Sequence, residues 1–208
     1  EKSNFYLRLS SYLNPKFVFN LSLVVENFYL NKNYVKSKSI LKNFEKSQDF
    51  YYWYRVKKEA QIITKTRNQK EALNYITSEF KKIQNPNNKF IFDIANFYKN
   101  SKEYNKAIEY YSLIIDSLEN GSDLKADLLY RRGGTHERLK NYLNADRDLL
   151  ASLEINPNDA YVLNYLAYSW LERDYKINEA IKMLEKAYSQ ENDDPYIIDS
   201  IGWAYYLI

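Results

Sequence analysis

Residues Tyr161 to Ile208 read YVLNYLAYSWLERDYKINEAIKMLEKAYSQENDDPYIIDSIGWAYYLI. Within this stretch an apolar-x2-apolar-small-x2-aromatic pattern occurs twice, as Leu163-Leu166-Ala167-Trp170 and Ile198-Ile201-Gly202-Tyr205. Between the copies lie Ile177, Ala180, Leu184 and Ala187. These are steps of three and four, so each set lines one face of a helix. A helix, a second helix and a copy of the first describe a helix-pair repeat.

Working outward, the small residues keep their spacing. One series runs Ser37, Ala72, Ala107, Ala145, Ala180; a second runs Val25, Ala60, Ala95, Gly133, Ala167, Gly202. From Ala60 onward the second series steps by 35, 38, 34 and 35, and the first by 35, 35, 38 and 35. The signature recurs as Ile91-Ile94-Ala95-Tyr98 and, more weakly, Leu21-Val24-Val25-Phe28. Second helices repeat as Tyr104-Ala107-Tyr111-Ile114 and Tyr142-Ala145-Leu149. Pro15 and Pro157 fall three residues before new repeats, where a helix must stop. A small residue at each crossing lets paired helices approach, and each pair buries its open face by stacking on the next.

The expected fold is therefore all-α: a right-handed superhelical solenoid of antiparallel helix pairs with about 12 helices. Whole repeats are expected at 18–52, 53–87, 88–125, 126–159 and 160–194. Residues 1–17 read as the second helix of a preceding repeat, and 195–208 as the first helix of a further one. Two open ends lead us to expect a piece of a longer protein. Asn120-Gly121-Ser122-Asp123 forms a longer exit from the third repeat, and the Arg173–Asn178 turn carries one extra residue. The second repeat fits least well, with Glu59 and Glu79 at positions that call for apolar and small residues.

These residues resemble the tetratricopeptide repeat family over essentially the whole chain. The C-terminal stretch resembles more narrowly a proteobacterial group with the pattern NxLGYxxxDR…EAxxxIxKAxxxxPxDxxIxDSxGWxxYRxG. It does so through Asn164, Leu166, Ala167, Tyr168, Glu179, Ala180, Lys186, Ala187, Asp194, Asp199, Ser200, Gly202, Trp203 and Tyr206. Ala167 stands where that group has its first glycine. The resemblance implies an exported scaffold in the periplasm or at the outer membrane, some members being lipoproteins or adaptors for a processing protease.

Composition narrows the function. With 4 Gly and 4 Pro in 208 residues, long helices are favoured over a loop-rich β fold. Lys and Arg exceed Asp and Glu by 30 to 27, a solvated surface and not a nucleic-acid footprint. The absence of Cys excludes disulfides, thiolate catalysis and Cys-held zinc, and fits cytosol or periplasm alike. No apolar run approaches the ~18 residues of a membrane span. The wealth of Asn, Lys, Ile and Tyr resembles coding in an AT-rich bacterial genome, a composition bias and not a function.

No catalytic, cofactor-binding or metal-binding residue is expected. His136, the only histidine, falls on the aromatic position of a first helix, equivalent to Tyr98 and Trp170, and reads as packing. Arg131-Arg132-Gly133-Gly134 looks superficially like a phosphate loop, but its glycines lie inside a helix, where backbone N–H groups are not free. Gly133 fits the close-contact position, while Gly134 leaves room in the groove or allows a bend. Most of the 22 Tyr residues, among them Tyr34, Tyr98, Tyr104, Tyr111, Tyr142 and Tyr205, read as core and not as a base-stacking platform.

In such solenoids the first helices line the concave face. Tyr130, Arg131, Arg138, Tyr161, Asn164, Tyr165, Tyr168, Asp199 and Trp203 are the expected partner-binding groove, with Tyr54, Lys57, Lys58, Gln61, Glu137, Leu171, Glu172, Tyr196 and Ser200 on the same positions. Tyr, Trp and Arg are the side chains protein-binding hot spots use. Trp203 and Tyr206 alternatively pack against further repeats. The chaperone-type carboxylate clamp is excluded, because its positions hold Lys57, Gln61, Asp93, Asp127 and Arg131, and two Asp repel a carboxylate. The expected function is thus a protein-interaction scaffold or adaptor for a protein or peptide. The alternatives are a substrate-docking arm of a larger enzyme and, less so, an RNA-binding helical repeat.

Overall fold

The computed structural model describes residues 2–14, 17–44 and 49–207; Pro15 and Ile208 lie outside them. Among the described residues there are twelve α-helices and no strand. Local chemistry sets where the helices begin. Asn33, Asn68, Asn87, Ser122, Asp159 and Asp194 each accept a hydrogen bond from a backbone N–H in the first turn that follows. Each such cap contributes about 1 kcal/mol. Pro195 opens the last helix, where its missing N–H costs nothing.

Local chemistry also ends the first helix of a pair. The N–H groups of Asn33, Asn141 and Tyr175 donate to the carbonyls of Phe28, His136 and Trp170. Those acceptors occupy the aromatic position of each repeat. The residue before each donor, Lys32, Lys140 or Asp174, is left-handed at φ 58, 57 and 51°. This is the six-to-one closure that reverses a helix within three residues. The extra residue of the Arg173–Asn178 turn appears as a second left-handed position, Lys176, at φ 46°.

The chain divides into two compact units, 1–101 and 102–208. The N-terminal unit holds α1 (Lys2–Leu13), α2 (Val18–Leu30), α3 (Tyr34–Leu41), α4 (Asp49–Thr66), α5 (Gln69–Phe80) and α6 (Asn88–Asn100). Its core includes Leu21, Val25, Leu41, Phe44 and Ile62. Buried Trp53 packs against Phe80 and Phe90 and donates its indole N–H to Asp93 at 3.0 Å. The helix α4 starts at Asp49, four residues before the expected Trp53.

The two carboxylates that weaken the second repeat in sequence are satisfied by an exchange between α4 and α5. Tyr75 donates to Glu59, which also accepts from Arg55 at 3.0 Å. Tyr52 donates to Glu79, which pairs with Lys82 at 2.6 Å. Burial and the Glu79 hydrogen bond push the Tyr52 hydroxyl up to about 12, and burial with Glu59 raises Tyr75 further. A polar interhelical seam thus stands where other repeats use apolar residues.

The C-terminal unit holds α7 (Tyr104–Ser117), α8 (Asp123–Arg138), α9 (Tyr142–Ile155), α10 (Ala160–Leu171), α11 (Ile177–Gln190) and α12 (Pro195–Tyr206). Leu149, Leu166, Ala167, Trp170, Ala180 and Leu184 form its centre, with Ile201 and Ala204 of α12 closing over them. Gly133 marks a tight crossing of α8 and α9. A Cβ there would lie 2.9 Å from Leu149 Cγ and 3.2 Å from the Ala145 carbonyl. In the same register of α12, Gly202 has nothing within 4 Å. Tyr205, expected in the core, is accordingly 52% exposed and bonds only outward, to Glu185.

Candidate functional site

Within the C-terminal unit the first helices α8, α10 and α12 lie side by side and present one face each. Arg138, Asn164, Tyr165, Tyr168 and Asp199 line a cavity of about 490 Å³, together with Glu137, Tyr142, Ser169, Glu172, Arg173, Tyr196 and Ser200. Next to it, Tyr168, Glu172, Asp199, Trp203 and Tyr206 line a second cavity of about 550 Å³, with Ile198 and Gly202. The shared residues Tyr168, Glu172 and Asp199 make the two cavities one continuous groove.

The middle of the groove is built from satisfied aromatics and one unsatisfied amide. Tyr165 donates to Glu137 at 3.2 Å, and its ring meets Tyr130 edge-on at 5.7 Å. Burial and the Glu137 carboxylate raise its hydroxyl well above the ordinary tyrosine value. Gly134 on α8 faces that hydroxyl, which a Cβ would meet at an ordinary contact of 3.4 Å. Next to Tyr165 in the chain, the Asn164 side-chain oxygen is buried with no hydrogen-bond partner in the protein. A buried acceptor without a donor costs about 1–3 kcal/mol, so it is a place where a bound N–H group gains most.

The groove wall is fixed by Arg173. Its Nη2 pairs with Asp146 at 2.8 Å, its Nε donates to the Ser169 carbonyl at 2.8 Å, and its guanidinium lies 4.5 Å over the Tyr142 ring. Arg138 is different: its side chain is 64% exposed and its Nε is 3.8 Å from Glu137.

Six of the nine expected groove residues line the two cavities, and three do not. Tyr130 is half-buried behind Tyr165, Arg131 pairs with Asp127 at 2.8 Å, and Tyr161 stands exposed at the start of α10. Sequence reasoning missed Tyr142, Ser169 and Arg173. Tyr142 opens a second helix and was assigned to the core, and Arg173 lies one position past the groove-facing set of its repeat. No spacing signal joins them, because they meet only through the fold.

In the N-terminal unit, Lys57, Gln61, Asp93 and Asn96 line a polar cavity of about 340 Å³. Lys57 is held by Asp93 at 3.0 Å. Both cations that a carboxylate clamp would use, Lys57 and Arg131, are thus neutralised by the aspartates that break the clamp pattern.

The Arg131–Gly134 run lies within α8, and Arg132 is consumed by Asp148. His136 is buried, with Nε2 3.9 Å from Asp148 and Nδ1 3.5 Å from the Asn141 amide. Burial lowers its pKa, with Asp148 opposing. Among the described residues no three His, Cys, Asp or Glu converge as metal ligands, and no helix is long and apolar enough to cross a membrane.

Comparison with known proteins agrees with this architecture. A TPR repeat-containing protein of Pseudomonas aeruginosa is 34% identical over 80 residues, which is 38% of this chain and 14% of that protein. A tetratricopeptide repeat protein from Parabacteroides merdae superposes with a TM-score of 0.69 at 20% identity, covering 89% of this chain and 71% of that one. YrrB, described as a TPR protein with an unusual peptide-binding site, superposes with a TM-score of 0.60 at 12% identity, covering 93% and 96%. The tetratricopeptide repeat family matches residues 89–117 and 126–159, so the chain carries tetratricopeptide repeats, set in an all-helical fold shared with solved proteins of that type.

Proposed function

We propose that the C-terminal unit is a docking module that holds an extended segment of a partner protein in the groove of α8, α10 and α12. The observation that carries this reading is the cavity walled by Tyr142, Tyr165 and Tyr168 and lined by Asn164, whose side-chain oxygen lies buried with no partner in the protein. An extended backbone supplies N–H donors at regular intervals, and tyrosine rings cover its side chains at low entropic cost. A peptide-binding site in the similarly folded YrrB supports the same use of this fold. The module performs no chemistry itself; it acts as a scaffold.

Selection of a displayed random dodecapeptide library on the chain tests this. Asn164→Ala and Tyr168→Ala should each weaken selected peptides about tenfold or more, the loss typical of a hot-spot contact. Thermal midpoints should not fall, since neither residue closes the core. Peptides that bind both variants as tightly as the parent chain would contradict the groove.

We further infer a bacterial, envelope-located protein. The bacterial source rests on the Pseudomonas relative, and the envelope location on the resemblance carried by Asn164, Asp199, Gly202 and Trp203. A reporter active only outside the cytoplasm, fused to the full native reading frame, should be active. Activity confined to a cytoplasmic reporter would exclude the location.

A further inference from the structure

The second half of the groove has its own chemistry. Tyr168, Trp203 and Tyr206 supply three aromatic rings to it, and Glu172 and Asp199 supply two carboxylates. Asp199, Trp203 and Tyr206 follow at steps of four and three, so α12 presents them on one face. Trp203 and Tyr206 stack at 5.6 Å and 23°. Glu172 is the C-cap of α10, at the end of a helix where the backbone adds partial negative charge.

Among the described residues no cation neutralises these carboxylates. Neither Glu172 nor Asp199 makes an ion pair among the described residues, and Glu172 sits beside the Tyr168 hydroxyl. Of the cations that line the adjoining cavity, Arg173 is paired with Asp146 and Arg138 lies 3.8 Å from Glu137. The whole chain carries a net charge of +3, so a cationic ligand meets no general attraction. The negative charge is local to this end of the groove. Aromatic faces beside unpaired carboxylates recognise an ammonium or guanidinium group.

We propose that the docked segment carries a lysine or arginine side chain, seated among Tyr168, Trp203 and Tyr206 between Glu172 and Asp199. This rests on the groove reading above and adds its specificity. The buried Asn164 oxygen in the adjoining cavity takes a backbone N–H of the same segment, which fixes the register of the basic side chain.

The test uses the dodecapeptides selected on the parent chain. The proposal expects Lys or Arg enriched at one position of those peptides. Replacing that residue by norleucine should weaken binding about tenfold or more, as should the double variant Glu172→Gln/Asp199→Asn. Both carboxylates are exposed, so the variant keeps its fold. Added salt should weaken the parent complex more than the variant's. Asn164-dependent binding without a basic position, or with one the double variant does not affect, overturns this proposal and leaves the groove reading standing. Absence of any Asn164-dependent peptide overturns both.

Discussion

Arg132 on α8 holds Asp148 on α9 through two hydrogen bonds, Nε to Oδ2 at 2.6 Å and Nη2 to Oδ1 at 2.8 Å. The Asp148 side chain is 2% exposed and that of Arg132 14%. Arg132 Nη1 also donates to Ser112 of α7 at 2.9 Å, so one guanidinium ties three successive helices. Removing one partner strands the other charge away from water. Asp148→Ala should destabilise the C-terminal unit by about 3–5 kcal/mol. Arg132→Met/Asp148→Leu should recover most of that loss. Denaturant titration followed by circular dichroism measures both, and a double variant no better than Asp148→Ala would show that packing, not charge, sets the effect.

Adjacent glycines in α8 should respond in opposite directions. A methyl at position 133 meets Leu149 Cγ at 2.9 Å and the Ala145 carbonyl at 3.2 Å, inside the crossing of α8 and α9. Gly133→Ala should destabilise by about 1–3 kcal/mol through overpacking. At position 134 the nearest atom is the Tyr165 hydroxyl oxygen at 3.4 Å, an ordinary contact. Gly134→Ala should therefore stabilise by up to about 1 kcal/mol, the helix-propensity difference. Thermal melts of the two variants check the signs.

Acid should weaken the fold through His136. Burial lowers its pKa below the ordinary 6.5. Between those two values the unfolded chain binds a proton that the folded chain does not, so stability falls as pH drops below about 6.5. His136→Gln should remove that part of the pH dependence. Denaturant midpoints at pH 7.5 and 5.5 decide it: an equal drop in parent and variant would assign the loss to other groups.

The turns carry stored strain at lysines. Lys32 and Lys140 sit at φ 58 and 57°, a region that favours glycine. Lys32→Gly and Lys140→Gly should each stabilise by about 0.5–1 kcal/mol. Unchanged melting temperatures would show that the longer side chains offset the strain.

The repeat was legible in the sequence because geometry forces small residues to recur where helices cross. Ser37, Ala60, Ala72, Ala95, Ala107, Ala145, Ala167 and Ala180 are all fully buried. The exit loop expected around Asn120–Asp123 is present between α7 and α8, and its last residues also carry capping chemistry: Ser122 caps α8 and Asp123 begins it. The α4 and α5 carboxylates looked like flaws because their tyrosine partners lie 27 and 16 residues away, beyond any local pattern. The groove was legible where it follows helix periodicity, as for Asn164, Tyr165 and Tyr168. Arg173 and Tyr142 were not, since their stacking exists only once α9 and α10 pack together. Gly202 shows the converse: its register asks for a close crossing, and none of the described helices supplies one.

Hydrogen exchange of the chain with and without a selected peptide tests the central claim most directly. The account expects new protection confined to α8, α10, α12 and the first turn of α9, around Asn164, Tyr168 and Asp199, and lost in Asn164→Ala. Protection on α11 or beyond the first turn of α9, or protection that survives Asn164→Ala unchanged, would contradict it.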